Sequence, residues 1–410
     1  MNHPAAAGDA GQAAERAARQ SYGRLLALLA WRWRDLAAAE DALGDAFAAA
    51  LRAWPSSGVP ASPEAWLMKA AQRGLLMQAR RARLASDPTV TALFAHDTDA
   101  PEPPAIPDER LKLMFVCAHP DVPEAVRAPL MLQTVLGLDA KVIAQAFLVS
   151  PAAMAQRLVR AKASIREAGT RFEPPELREL PERLGSVVEA IYGAYTVGRR
   201  SAAPAVDSPG SPELAQEAIY LCQLVVQLQP QQPEALGLLA LMLYAQARRP
   251  AQFDAHDAFV PLAAQDTDLW DRELIAQAER CLQAAAQCRQ PGPFQIEAAI
   301  QSAHCQRAFG GATPWPAIAS LYGALVALQA SVGACVGQAV ALAEAGELAA
   351  GRAALDALEP GVVQAYQPYW VAQAHLLRRE GRLGEAAQAS LRAIGLTEDP
   401  RVRAYLQRGV

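Results

Sequence analysis

A chain of 410 residues is longer than one hydrophobic core ordinarily serves, so two or three domains are expected. Apolar residues make up 52% and aromatics only 6%, Ala and Leu dominate, and no long β-branched run occurs; this excludes a sheet-built fold and reads as all-α. The net charge of -4 excludes no partner by itself, but residues 1 to 172 carry 20 Lys and Arg against 17 Asp and Glu while the remainder carries 18 against 25, the asymmetry expected when only one domain faces phosphate.

The opening "MNHPAAAGDAGQAAER" lacks the basic head and apolar run of a secretion signal, and the Ala/Gly-rich residues 1 to 14 are expected to be disordered. No stretch holds eighteen uninterrupted apolar residues, which argues against a membrane span and for a cytoplasmic chain. From about Glu15 to Leu84 the spacing is helical, with a break at "WPSSGVPASP". Before the break, "DLAAAEDALGDAF" sets Asp35, Glu40, Asp41 and Asp45 beside Leu43 and Phe47. Acids around an apolar stripe suit a basic helical partner, although a solvated face is the simpler reading of these residues alone. After the break, Ser62 caps and Pro63 opens a helix carrying Lys69, Arg73, Arg80, Arg81 and Arg83, a supply of cations for phosphates. Trp66 in that helix reads as core.

Residues 86 to 108, "SDPTVTALFAHDTDAPEPPAIPD", are acidic and Pro-rich and read as a linker. A second helical block spans 109 to 172. Within it a helix ends at a joint containing Gly137, a short helix covers about 140 to 147, and Ser150 and Pro151 supply the N-cap and first position of a basic helix. Met154, Leu158 and Ile165 share its inner face. This is the layout of a helix-turn-helix reader, whose second helix offers its early outward residues to base edges in the major groove. Gln156 is placed for base contact, and Arg157, Arg160 and Lys162 divide between bases and backbone.

The remainder, 173 to 410, is helical. "GELAAGRAALDAL" from Gly346 and "GRLGEAAQASLRAI" from Gly381 stand 35 residues apart, and this offset fits helix-turn-helix units of the tetratricopeptide class. Six cysteines without a CxxC pair read as small core residues. There is no GxxxxGK[ST], GxSxG, HExxH or GxGxxG, so an enzyme lacks its usual signatures and no cofactor is expected. The acids of "FDAHDAF" and of Asp266, Asp268 and Asp271 are a weak candidate for a divalent ion, and His304-Cys305 reads as packing rather than a nucleophile pair.

The segments "YGRLLALLAWRWRDLAAAEDALGDAFAAALRAWP" and "SPEAWLMKAAQRGLLMQARRAR", together with the second block, resemble a bacterial extracytoplasmic-function sigma factor of the subgroup with a C-terminal tetratricopeptide-like extension. The resemblance implies a region 2 bundle over 15 to 85 that docks on core RNA polymerase and opens the minus-ten element of promoter DNA. It implies a region 4 helix-turn-helix over 109 to 172 that reads the minus-thirty-five element, with catalysis left to the polymerase. It also implies a small DGPF/YCII-type protein as a candidate partner. Two stretches depart from the family: "AQRGLLMQ" replaces a mostly charged run, and "AIYGAYTVGRR" lacks a polar Asn-Glu-Gly segment. The first keeps open a scaffold that no longer initiates transcription; a plain helix-turn-helix repressor is the third reading.

Overall fold

The computed structural model of the chain describes residues 4–33, 35–85, 106, 108–147, 149–167, 175–200 and 212–409. Most of the expected linker lies outside the described residues. Among the described residues every long element is an α-helix, and the β content is one isolated bridge between Phe253 and Phe259.

Helix formation begins earlier than expected. Helix α1 spans Pro4–Trp33, which corrects the reading of disorder for residues 4 to 14, residues 1 to 3 lying outside the described residues: the Ala that lowers sequence complexity also favours the helix more than any other residue, and Ala13, Ala14 and Ala17 are buried. Helix α2 (Leu36–Ser57) starts at Asp35, whose carboxylate accepts from the Ala38 N–H at 3.0 Å, and stops where Gly58 takes φ +80°. Helix α3 (Pro63–Ala85) follows the Pro-rich break. The three pack through Leu26, Leu29, Leu43, Ala46, Trp54 and Leu67, each large apolar side chain contributing about 1.5–3 kcal/mol by burial. Glu64, in the first turn of α3, accepts from Ser21 and pairs with Arg24, tying α3 to α1. Trp66 packs edge-on against Trp54 at 5.6 Å.

The second block forms α4 (Glu109–Cys117), α5 (Glu124–Thr134), α6 (Ala140–Ala146) and α7 (Pro151–Glu167). Asp108 caps α4 by accepting from the N–H groups of Arg110 and Leu111 at 2.8 and 3.4 Å. Helix α8 (Leu180–Arg200) then packs on α4, α5 and α6. Its Arg183, 6% exposed, donates to the Phe115 carbonyl at 3.3 Å, and Gly193 leaves room for Leu132. Helix α9 (Pro212–Leu228) comes within backbone contact of α8 at Gly198 and Ala215, and its Glu217 pairs with Arg110. The first compact unit therefore runs to Leu224 rather than ending near residue 172, because α8 buries its apolar face on the second block.

The second unit, Val225–Val410, holds α10 (Pro233–Ala247), α11 (Arg272–Gln287), α12 (Pro293–Cys305), α13 (Trp315–Leu328), α14 (Val332–Glu344), α15 (Leu348–Asp356), α16 (Pro360–Val363), α17 (Gln367–Arg379), α18 (Leu383–Gly395) and α19 (Pro400–Gln407). Neighbours in sequence are mostly neighbours in space. The 35-residue offset is realised in the backbone. Helices α14 and α17 are both 13 residues long and start at Val332 and Gln367. Each ends in a glycine with positive φ, Gly346 at +96° and Gly381 at +76°. The next N–H groups, of Glu347 and Arg382, donate back to Leu342 and Leu377 at 2.9 and 3.0 Å, as a left-handed helix cap requires. The two pairs are bolted together by Arg352 to Glu380 at 2.9 Å and by Arg379 to Glu344 at 2.9 Å.

Candidate functional site

Helix α7 is built as a presenting surface. The Ser150 hydroxyl accepts from the Ala153 N–H at 3.2 Å, and Pro151 takes the first helical position. The axes of α6 and α7 differ by 110°, within the range of helix-turn-helix pairs. Met154, Leu158 and Ala161 are buried and Ile165 is half-buried, so the inner face falls where the periodicity put it. On the outer face Gln156, Arg157 and Arg160 are exposed together with Val159 at 68%. The Arg160 guanidinium donates to the Gln156 side-chain oxygen at 3.2 Å, which pre-orients both one turn apart.

Lys162 is placed differently. Its ammonium donates to both carboxylate oxygens of Glu40, at 2.6 and 2.8 Å, and both side chains are mostly covered. A cation expected to face DNA and an acid expected to face polymerase are thus each other's partner. The reason is helical phase: residue 162 falls beside Ala161 on the inward edge of α7, one turn after Leu158.

The other acids of α2 also separate. Asp35 is spent on the N-cap, whereas Asp41 and Asp45, one turn apart, are exposed. Phe47 is half-buried against the Tyr22 ring at 6.2 Å rather than presented outward. Burial, then the charges of Glu40 and Asp41, pushes the Tyr22 hydroxyl well above its ordinary range, so it stays protonated. On α3, Lys69 and Arg73 are exposed; the side chains of Arg80 and Arg81 lie outside the described residues, as do those of Arg83 and Arg166. One to two turns beyond Lys69 and Arg73 stand Leu76 and Met77, 49% and 56% exposed, and Leu51 on α2 is 53% exposed. These apolar positions were not singled out as contacts from the sequence, although "AQRGLLMQ" marked the place. Cys117, fully buried near this junction, has its thiol pushed up to about 12 by burial, which makes it a packing residue and not a nucleophile.

In the second unit the acids considered for a cation are engaged by the backbone. Asp254 accepts from the N–H groups of His256 and Ala258 at 2.8 and 2.9 Å, Asp266 and Asp271 cap short and long helices, and Asp257 pairs with Arg401 at 3.1 Å. No group of three metal-ligating side chains occurs among the described residues. His304 packs edge-on against Trp315 at 5.4 Å, and its neighbour Cys305 lies 3.6 Å from Arg248.

Residues 18–84, which form the three-helix bundle bearing Asp41, Asp45, Lys69 and Arg73, match Sigma-70 region 2. The chain carries a sigma-70 region 2 domain. An uncharacterized protein of Rhizobium meliloti (strain 1021) is 36% identical over 399 residues, covering 95% of this chain and 92% of the relative. Residues 183–286 match a family of unknown function, DUF6596, which begins inside α8 and ends at the last turn of α11. No solved structure matches the chain. Among the described residues no single helix is long and apolar enough to cross a membrane.

Proposed function

We propose that the chain is a cytoplasmic transcription initiation factor of the extracytoplasmic-function type, which binds core RNA polymerase through α2 and reads promoter DNA through α3 and α7. The observation that carries this reading is the pairing of a Sigma-70 region 2 match with a capped helix that holds Gln156, Arg157 and Arg160 outward at the end of a helix-turn-helix. Exposed Asp41 and Asp45 form the acidic face offered to a basic polymerase helix, and Lys69 and Arg73 meet phosphate beside the minus-ten element. The chain supplies recognition and the polymerase supplies catalysis. The helical pairs of the second unit form a tetratricopeptide-like regulatory module, whose surface takes a partner protein. The small DGPF/YCII-type protein is the candidate for that place.

Run-off transcription with purified core polymerase tests the proposal: product from a cognate promoter that disappears with Asp41→Arg/Asp45→Arg supports it. DNA binding without product would turn the reading toward a repressor. A scaffold that no longer initiates is favoured by one observation, the exposure of apolar Met77 within "AQRGLLMQ", the stretch that departs from the mostly charged run of the family it resembles. That second reading expects polymerase binding without promoter opening.

A further inference from the structure

The second unit closes on itself where its beginning meets its end. After α10 the chain turns back through a hairpin-like loop: the Asp254 N–H donates to the Ala258 carbonyl at 3.0 Å, the Val260 N–H donates to the Gln252 carbonyl at 2.9 Å, and Asp257 takes φ +59° at the tip. Arg401, on α19, holds that tip in place. Its guanidinium lies 3.9 Å from the centre of the Phe253 ring and pairs with Asp257 at 3.1 Å, across 144 residues of sequence. The Phe259 ring meets the Tyr405 ring edge-on at 5.5 Å.

Behind this seam lies a cavity of about 370 Å³, walled by the loop, α17, α18, and α19 with the turn that follows it. Small-molecule sites run from about 300 to about 1,000 Å³, so the space suits a small ligand. Phe259, Pro261, Val371, Ala393, Tyr405 and Leu406 give it apolar walls. The polar groups in the lining are chiefly donors. Ser390, 3% exposed, accepts from the Arg378 guanidinium at 2.7 Å, and among the described residues its own hydroxyl proton goes to no acceptor. Arg378 makes both of its bonds, to Ser390 and to the Gly409 carbonyl, through Nη2, which leaves the edge formed by Nε and Nη1 open to a ligand. Arg408, exposed at the rim, has no ion pair and no side-chain hydrogen bond among the described residues. The acid in the lining, Asp254, turns its Oδ1 to the N–H groups of His256 and Ala258.

Two guanidinium groups and one carboxylate leave the lining with an excess of one positive charge. A planar guanidinium edge beside a hydroxyl donor matches the geometry of a carboxylate, and the single excess charge matches a monoanion. The apolar walls exclude a ligand that is polar throughout, because its groups would lose water without gaining partners. We propose that this cavity is a binding site for a small amphipathic monocarboxylate, its carboxylate held by Arg378, Arg408 and the Ser390 hydroxyl and its apolar body lying against Phe259, Val371 and Tyr405. The site does not depend on the sigma reading of the first unit. Its loop belongs to the stretch that matches DUF6596, whereas Arg378, Ser390 and Arg408 come from beyond it, so neither half makes the site alone. A ligand seated across the seam binds only the closed unit and therefore stabilises it.

The test uses the full chain and dansylglycine, whose fluorophore supplies an apolar aromatic body and whose glycine supplies a free carboxylate. Fluorescence titration is expected to show one saturable site per chain, and thermal unfolding a rise in midpoint with ligand concentration. The neutral carboxamide of the same probe is expected to bind about tenfold more weakly, as are Arg378→Met and Arg408→Met with dansylglycine itself, since each change removes a charge-assisted hydrogen bond. Arg280→Met, on an exposed α11 side chain outside the lining, should leave the affinity unaltered. Val371→Trp fills the cavity and should abolish binding. Absence of saturable binding, equal affinity for the carboxamide, or wild-type affinity in Arg408→Met and Val371→Trp overturns the proposal. Circular dichroism checks that each variant is folded; because Arg408 is exposed and unpaired, Arg408→Met decides the matter even where Val371→Trp does not fold. None of these readouts involves polymerase or DNA, so their failure leaves the sigma reading as it stands.

Discussion

Arg157 and Arg160 are exposed on α7, so their replacement by Ala perturbs the proposed nucleic-acid surface with little effect on folding, within about 0.5 kcal/mol for such sites. Each cation that meets a phosphate releases close to one counterion, and the logarithm of the binding constant falls with the logarithm of salt by about 0.9 per contact. Raising salt from about 50 to about 200 mM therefore weakens a single phosphate contact roughly 3.5-fold. Fluorescence anisotropy of a mixed-sequence duplex, titrated with the full chain at both salts, measures that slope. Arg160→Ala is expected to reduce its magnitude by about one, Arg157→Ala by the same amount, and the double variant by about two. Gln156→Ala, which removes no charge, should leave the slope unaltered and lower only the preference among sequences. The Arg160–Gln156 hydrogen bond adds a coupling: without Gln156 the guanidinium loses its orienting acceptor, so the double variant Gln156→Ala/Arg160→Ala should lose less than the sum of its parts. A slope that stays constant in Arg157→Ala and Arg160→Ala would refute the assignment of this face to the DNA backbone, whatever happens to the affinity itself.

Much of this surface was legible in the sequence because local rules acted alone there. The Ser150-Pro151 pair fixes where α7 starts, and once the start is fixed the 3.6-residue period sends Met154 and Leu158 inward and Gln156, Arg157 and Arg160 outward. The 35-residue repeat was readable for a similar reason, since Gly346 and Gly381 are both required by a left-handed cap. Lys162 and Glu40 were not legible as partners. They are 122 residues apart, and each separately has the character of a surface contact; only the docking of α1 and α2 on the helix-turn-helix brings them together. The same long-range packing places Phe47 on Tyr22 and recruits α8 to the first unit, and no periodicity within α8 states which of two apolar neighbours it will cover. Residues 4 to 14 were misread for a different reason. Low sequence complexity suggested disorder, but an alanine tract is also the strongest local signal for a helix, and α1 has buried Ala13, Ala14 and Ala17 to settle on.

Three further predictions probe the scaffold. Gly351→Ala places a Cβ 2.5 Å from the Ala339 carbonyl oxygen, so α15 must shift from α14 and urea unfolding should show a loss of about 1–3 kcal/mol; Ala386, at the same register one repeat later, should lose only about 1 kcal/mol on change to Gly. Arg183→Ala leaves the Phe115 carbonyl without its buried donor and should destabilise the first unit by about 1–3 kcal/mol, whereas Arg178→Ala, on an exposed side chain nearby, should be close to neutral by the same measurement. His304 gives the second unit a pH response. Burial, reinforced by the charges of Arg248 and Arg307, lowers its imidazole from 6.5 to about 4, so the folded state holds it neutral where the unfolded chain would protonate it. Between those two values the unfolded state binds the extra proton, and stability falls as pH drops, by about 3 kcal/mol across the window; above 6.5 the contribution is complete, and below about 4 both states are protonated and no further loss arises from this group. Thermal unfolding of the full chain at intervals from pH 7.5 to 4, followed by fluorescence of the Trp315 environment, should show that decline, and His304→Phe should flatten it. An equally steep decline in His304→Phe would assign the acid sensitivity to carboxylates elsewhere and remove His304 as its source.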